Sequence, residues 1–247
     1  MGEVHDPDMT LTADDLGTIL SVWAHPDDET FLAAGMMAAA ADQGRRVVCV
    51  SATAGERGTS NPDAWPPARL ARVRCWEAAA AMAVLGVTEH RILGLPDGGL
   101  REHDREGLDL MHELIDDVRP DTILTFGPDG ITFHPDHIAV HRWVTDAWEQ
   151  RHRPCRLLYA ATSAAHLDQF GERYEEWGVF MTDQRPSGVP AEEIALQVLL
   201  ADAQLDRKLT ALGALTSQTG ALMATLDPEV LAGIVAEEAF VDAAKAR

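Results

Sequence analysis

Thr18-Ile19-Leu20-Ser21-Val22-Trp23-Ala24-His25-Pro26-Asp27-Asp28-Glu29 runs from an apolar stretch straight into a cluster of ligand-type side chains. Residues 18–23 read as a buried strand, and the polar cluster that follows reads as a helix start. Pro is favoured at the first helical position and Asp in the first turn, which accounts for Pro26, Asp27 and Asp28. It leaves His25 unexplained. After a second apolar run, Thr122 to Phe126, the design repeats as His134-Pro135-Asp136-His137. Each segment holds two potential metal ligands three residues apart, His25 with Asp28 and His134 with His137. On a first helical turn, side chains at i and i+3 share a face and can approach one ion. A catalytic zinc takes three protein ligands and keeps a position for water, so a His/Asp/His set suits it. Asp27 is then left over as a carboxylate beside that water. The pattern points to hydrolysis.

Outward from these two segments the chain alternates strand and helix. Strands are expected at Thr18–Trp23, Arg46–Ser51, His90–Leu93, Thr122–Phe126 and Arg156–Ala161. Helices are expected at Thr30–Asp42, Pro67–Leu85, Glu106–Arg119, Pro135–Arg151 and Ala191 to about Leu215, with another over Pro228–Ala244. Apolar strands alternating with amphipathic helices predict a single α/β domain, Rossmann-like, with a mostly parallel sheet covered on both faces. Residues 1–17 read as a tail, 18–247 as the domain, and 163–190 as its least regular stretch and a variable insertion. His25 follows the first strand, Glu56 the second, Asp97 the third, and the 127–137 segment the fourth. Open α/β sheets bind ligands outside the carboxyl ends of their strands, and every polar motif falls at that edge.

With 247 residues, 46% of them hydrophobic, the chain is ample for one large core. Its formal net charge of −20 repels nucleic acid and anionic membrane, so neither is expected as a partner. Cys49, Cys75 and Cys155 lack close C-x-x-C spacing and read as free thiols of a reducing compartment. Met1 to Asp15 is polar and acidic, unlike a signal peptide, and a cytoplasmic location is expected.

The segment Ala24–Glu29, the loop Gly127-Pro128-Asp129-Gly130 and His134–His137 resemble the LmbE-like, or PIG-L, N-acetylglucosaminyl deacetylases. The resemblance runs from about residue 18 to about 220. It implies a Rossmann-like fold and a zinc-dependent amide hydrolase, with one zinc ion per chain. By position it implies metal ligands His25, Asp28 and His137, with Asp27 as general base. His134 would stabilise the oxyanion or act as an acid, and Asp136 would orient His134. Thr53–Gly58 looks like the family's second-strand loop, with Glu56 near the substrate. Arg74-Cys75-Trp76-Glu77 resembles its Arg-x-x-Glu helix, where Arg74 would contact substrate, and Asp97 stands where the family places a sugar-binding aspartate. Without the resemblance, Arg74 with Glu77 reads equally as a surface pair and Asp97-Gly98 as a turn.

Two positions depart from the family. Phe133 stands where Gly often precedes the His-Pro-Asp-His segment, and Leu215 stands where His is common. Phe133 is expected to narrow the pocket mouth, and Leu215 is given no role. His141, one turn after His137, is expected to be a packed histidine; His5, His90, His103, His112, His152 and His166 read as surface or core. The expected substrate is a small N-acyl amino sugar, and the aromatics of 163–190 would add specificity or pack locally. Rival readings are an amidase of the mycothiol-conjugate type and a zinc or sugar binder without turnover. An intact Asp27 argues against the binder. A nucleotide-binding Rossmann protein would carry Gly-x-Gly-x-x-Gly where His25-Pro26-Asp27 stands. Homo-oligomerisation is left open.

Overall fold

The computed structural model describes residues 15–246. His5 and most of the expected tail lie outside the described residues, whereas Leu16 is fully buried in the core. Seven strands form one sheet: β1 (Ile19–Trp23), β2 (Val47–Ser51), β3 (Glu89–Ile92), β4 (Thr122–Phe126), β5 (Arg156–Ala161), β6 (Leu196–Leu199) and β7 (Glu237–Asp242). Their order is β3-β2-β1-β4-β5-β7-β6. The first five run parallel, and β7 and β6 pair antiparallel at one end. Every residue of β1, β2 and β4 is buried, as a sheet covered on both faces requires.

The described helices are α1 (Asp28–Leu32), α2 (Ala34–Asp42), α3 (Pro67–Leu85), α4 (Asp104–Val118), α5 (Pro135–Gln150), α6 (Ala164–Glu176), α7 (Asp202–Ala214), α8 (Thr216–Thr225) and α9 (Pro228–Ala236). Helix α3 ends on Gly86 in the left-handed conformation, a position where glycine carries no Cβ penalty. The stretch 163–190 contains α6, which starts with Ser163 accepting a hydrogen bond from the His166 N–H.

Three expected helices are corrected. The Thr30–Asp42 helix is broken at Ala33, between α1 and α2. A buried ion pair holds the break: Glu238 accepts from the Gly35 and Met36 N–H groups, while Lys208 Nζ donates to Phe31 O at 2.7 Å and Glu238 Oε1 at 2.8 Å. A carboxylate thus caps the start of one helix and an ammonium the end of the other, each favoured by the helix dipole. The Ala191–Leu215 region holds β6 before α7, and the Pro228–Ala244 region ends in β7. Glu238, on β7, is half of that ion pair.

The site follows from the winding. β1 pairs with β2 on one side and β4 on the other. Successive connections leave in opposite directions there, opening a crevice above the carboxyl ends of β1 and β4. The two His-Pro-Asp segments flank that crevice.

Candidate active site

Three ligand-type side chains face one another in the crevice. His25 Nδ1 lies 3.3 Å from His137 Nε2, His137 Nε2 lies 3.3 Å from Asp28 Oδ1, and His25 Nδ1 lies 3.5 Å from Asp28 Oδ2. The sequence brings them together by two routes. His137 is in the first turn of α5, whereas His25 precedes α1 and meets Asp28 through a tight turn in which the His25 N–H donates to Asp28 Oδ2.

The protonation of the rings follows from their other contacts. His137 Nδ1 sits 2.9 Å from Gly130 O, an acceptor only, so Nδ1 carries the hydrogen and Nε2 presents a lone pair. His25 Nε2 lies 3.2 Å from Asp97 Oδ1 and 3.4 Å from Asp136 Oδ2, without hydrogen-bond alignment to either. Proton-bearing Nε2 leaves Nδ1 facing the other two donors. Burial alone would lower the His25 pKa, but the carboxylates of Asp136, Asp28 and Asp97 outweigh it and raise it well above the usual imidazole range. Burial likewise works to raise Asp28, and His137 and His25 overcome it and hold the carboxyl well down. The carboxylates thus favour positive charge at His25, whereas burial lowers the His137 pKa to about 4 and keeps that ring neutral. Ligands set tetrahedrally around zinc at about 2.0–2.1 Å stand roughly 3.3 Å apart, so the donor spacing and chemistry fit that ion. Two further groupings have ligand atoms within 4.8 Å of one another: His25 with His134 and His137, and His25 with Asp97 and Asp136.

Asp97 and Asp136 are placed differently from expectation. Asp97 is buried, and its carboxylate accepts from the Arg57 N–H at 2.7 Å while facing His25. It thus meets both the loop after β2 and His25. Glu56 Oε1 accepts from the Asp97 N–H at 3.0 Å, which ties the loops after β2 and β3 together. The Asp136 carboxylate accepts from the Gly98 and Leu100 N–H groups at 2.7 and 3.1 Å and faces His25. The expectation that Asp136 orients His134 is corrected. The contact between them runs the other way, from the Asp136 backbone N–H to His134 Nδ1 at 3.1 Å. His134 thereby caps α5, and its neutral ring carries the proton on Nε2. Burial, followed by His25, lowers the His134 pKa despite Asp136.

Arg74, expected to contact substrate, reaches Asp27. Its guanidinium is buried and donates to Gly55 O at 2.7 Å, Pro26 O at 2.9 Å and Asp27 Oδ2 at 3.0 Å. It positions Asp27, and its Nε is left without a hydrogen-bond partner among the described residues. Its expected helix partner Glu77 accepts instead from the Ser217 N–H and hydroxyl, in the segment near the departing Leu215, which is buried. Burial raises the Asp27 pKa to about 6, with Arg74 opposing and Asp28 adding to the rise. Asp27 sits at φ 153°, ψ −33°, a backbone conformation costly for an L-residue. Its N–H donates to Glu29 Oε2 at 3.1 Å. Glu29 is fully buried, and burial pushes its carboxyl up to about 8. Sequence reading assigned Glu29 no role. Its place one step after two acids, inside the same motif, was the available signal. His141 Nδ1 lies 2.9 Å from Phe126 O and its ring meets Tyr159 edge-on, as a packed histidine does.

The chain is similar to known deacetylases. The family described as "PIG-L: GlcNAc-PI de-N-acetylase" matches residues 20–148. The 1D-myo-inositol 2-acetamido-2-deoxy-alpha-D-glucopyranoside deacetylase of Acidothermus cellulolyticus is 35% identical, over 81% of this chain and 79% of its own. The enzyme of the same name from Saccharomonospora viridis is 36% identical, over 59% of this chain and 63% of its own. Among solved structures, the A40926 pseudoaglycone deacetylase superposes with a TM-score of 0.69 at 18% identity, covering 92% of this chain and 97% of that one. That last likeness speaks to the fold alone. The matched region contains both His-Pro-Asp segments, and on these grounds the chain belongs to the PIG-L family.

Proposed function

We propose that this chain is a zinc-dependent N-deacetylase that frees the amine of an N-acetylated amino sugar. The observation that carries the reading is the mutual approach of His25 Nδ1, His137 Nε2 and the Asp28 carboxylate, with Asp27 beside them. These three side chains would hold the ion, and His25 would be oriented through its second nitrogen by Asp97 and Asp136. A zinc ion there would supply Lewis acidity, polarising the amide carbonyl and bringing the acidity of water to near neutrality. Asp27 is the base that takes the proton of the attacking water. Its pKa near 6 leaves it ionised at neutral pH yet close enough to exchange protons readily. Arg74 fixes the Asp27 carboxylate, and Glu29 fixes its backbone. His134 donates from Nε2 to the oxygen that gains charge as the amide carbon becomes tetrahedral. Burial, followed by His25, lowers its pKa and so favours the neutral ring as the donor. The products are acetate and a free amine.

The named relatives act on an N-acetylglucosaminyl inositol, which favours sugar deacetylation over cleavage of a thiol conjugate. Among the described residues no helix is long and apolar enough to cross a membrane. We infer a cytoplasmic enzyme with a small N-acyl amino-sugar substrate. The reading is tested by elemental analysis of bound metal together with amine release from a panel of N-acyl amino sugars that includes N-acetylglucosaminyl inositol. One zinc per chain and amine release from at least one sugar are expected. Activity on peptides alone, or equal activity after metal removal, would sink it.

A further inference from the structure

The loop between β4 and α5 pays for its shape. Gly130 has φ 64°, which glycine adopts freely, but Ile131 at 65° and Phe133 at 60° hold the same left-handed conformation. For β-branched or bulky residues this is strained and persists only where the surroundings or the function require it. Ile131 has a structural reason, since its side chain packs against the hydrophobic core. Phe133 has none on the same grounds. It is half-buried and, among the described residues, neither joins the core nor makes a ring contact. Glycine would relieve the backbone there, yet the chain keeps a phenyl ring.

The loop adjoins the donor cluster. Gly130 O accepts from His137 Nδ1, the Thr132 hydroxyl lies 3.4 Å from the same atom, and His134 follows Phe133 directly. A second segment meets the loop: the Met181 N–H donates to Thr132 O at 2.9 Å. Met181 is 58% exposed, one of three large apolar side chains so exposed among the described residues. Phe180 beside it is held by Tyr174 and Arg185, which fixes the segment that carries Met181. Phe133, on strained backbone, and exposed Met181 therefore sit on two segments joined by a hydrogen bond, the first of which runs directly into His134 and reaches His137 through Thr132.

We propose that Phe133 and Met181 form an apolar platform at the mouth of the site, which selects amino sugars bearing an apolar group on the anomeric oxygen. The proposal rests on the deacetylase reading and adds a substrate class to it. A half-buried ring gains by covering apolar surface and gains little from a hydroxyl-rich aglycone.

The test compares methyl and phenyl glycosides of N-acetylglucosamine on the zinc-loaded chain. We expect kcat/KM to favour the phenyl glycoside by about tenfold, the scale of discrimination an apolar subsite provides. Phe133→Gly should bring the ratio to about one with a melting temperature no lower than the parent's, because glycine takes the left-handed conformation without strain. Met181→Ser should reduce the ratio as well, at an exposed position where folding is not at risk. A ratio near one in the parent, or a preference that survives both substitutions, overturns the proposal. So does a Phe133→Gly chain that melts lower while keeping the ratio, since the ring would then serve the fold. If neither glycoside is hydrolysed with zinc bound, the wider panel of N-acyl amino sugars still decides the deacetylase reading, and titration of the two glycosides decides the platform. Tighter phenyl binding that disappears in Phe133→Gly supports it, and equal binding overturns it.

Discussion

In the turn after β1, His25-Pro26 precede the helix and Asp27 is its N-cap. In the turn after β4, His134 is itself the N-cap and Pro135 the first helical residue. The same tripeptide is thus set two positions apart relative to its helix. The second turn is ordinary: His134 has extended backbone and its ring accepts the Asp136 N–H. The first is not, because Asp27 occupies a costly conformation that Arg74 and Glu29 hold in place. The shift changes what each acid does. Asp27 and Asp28 turn inward, one to Arg74 and one to the donor triangle. Asp136 turns away, to the backbone after β3 and to the rear of His25. The strained turn holds the proposed base and the regular turn holds the proposed oxyanion donor.

The comparison breaks most severely if the ligand set is wrong. His137→Ala should lose bound metal and with it all amide hydrolysis, as read by elemental analysis and amine release; a variant that folds and keeps one ion per chain excludes His137 as a ligand. Asp27→Asn should keep the metal and lose about 10²–10⁴ in kcat, the usual contribution of a positioned base. Near-parental turnover in that metal-loaded variant would remove the base from the strained turn. His134→Ala should keep the metal and cost about 10²–10³ in kcat with little change in KM, the scale for one oxyanion donor. Metal loss there would instead move His134 into the ligand set with His25 and His137. Asp136→Asn should act on the opposite property: metal affinity should fall about 10–100-fold, as expected for a group that orients a ligand, with a smaller effect on kcat at saturating zinc. A kcat defect at full metal loading would return Asp136 to the role of orienting His134.

Much of this was legible where residues act through near neighbours. The strands β4 and β5 and the helix α3 have the bounds that the apolar runs, Pro67 and Gly86 suggest. The crevice follows from which strands precede which motifs. The antiparallel end was not legible. β6 has only four residues, and Glu237–Asp242 continues an alanine-rich stretch that reads as helix. What makes it a strand is pairing with β5 and the burial of Glu238 against Lys208, both distant in sequence. The contacts of Arg74, Asp97 and Asp136 were not legible for the same reason. Each side chain is spent on a partner 19 or more positions away: Gly55 and Asp27 for Arg74, Arg57 and His25 for Asp97, Gly98 and Leu100 for Asp136. Residue type and spacing reveal a ligand and its neighbour along a turn. They do not reveal which buried donor a carboxylate will satisfy.

The position of the ion tests the central claim most directly. Zinc-edge anomalous diffraction from crystals of the zinc-loaded protein should give one peak between His25 Nδ1, His137 Nε2 and the Asp28 carboxylate, with Asp27 adjacent and outside the ligand set. A peak on the other side of the His25 ring, between Nε2, Asp97 and Asp136, or one that includes His134 as a ligand, would contradict the division of labour between the two turns.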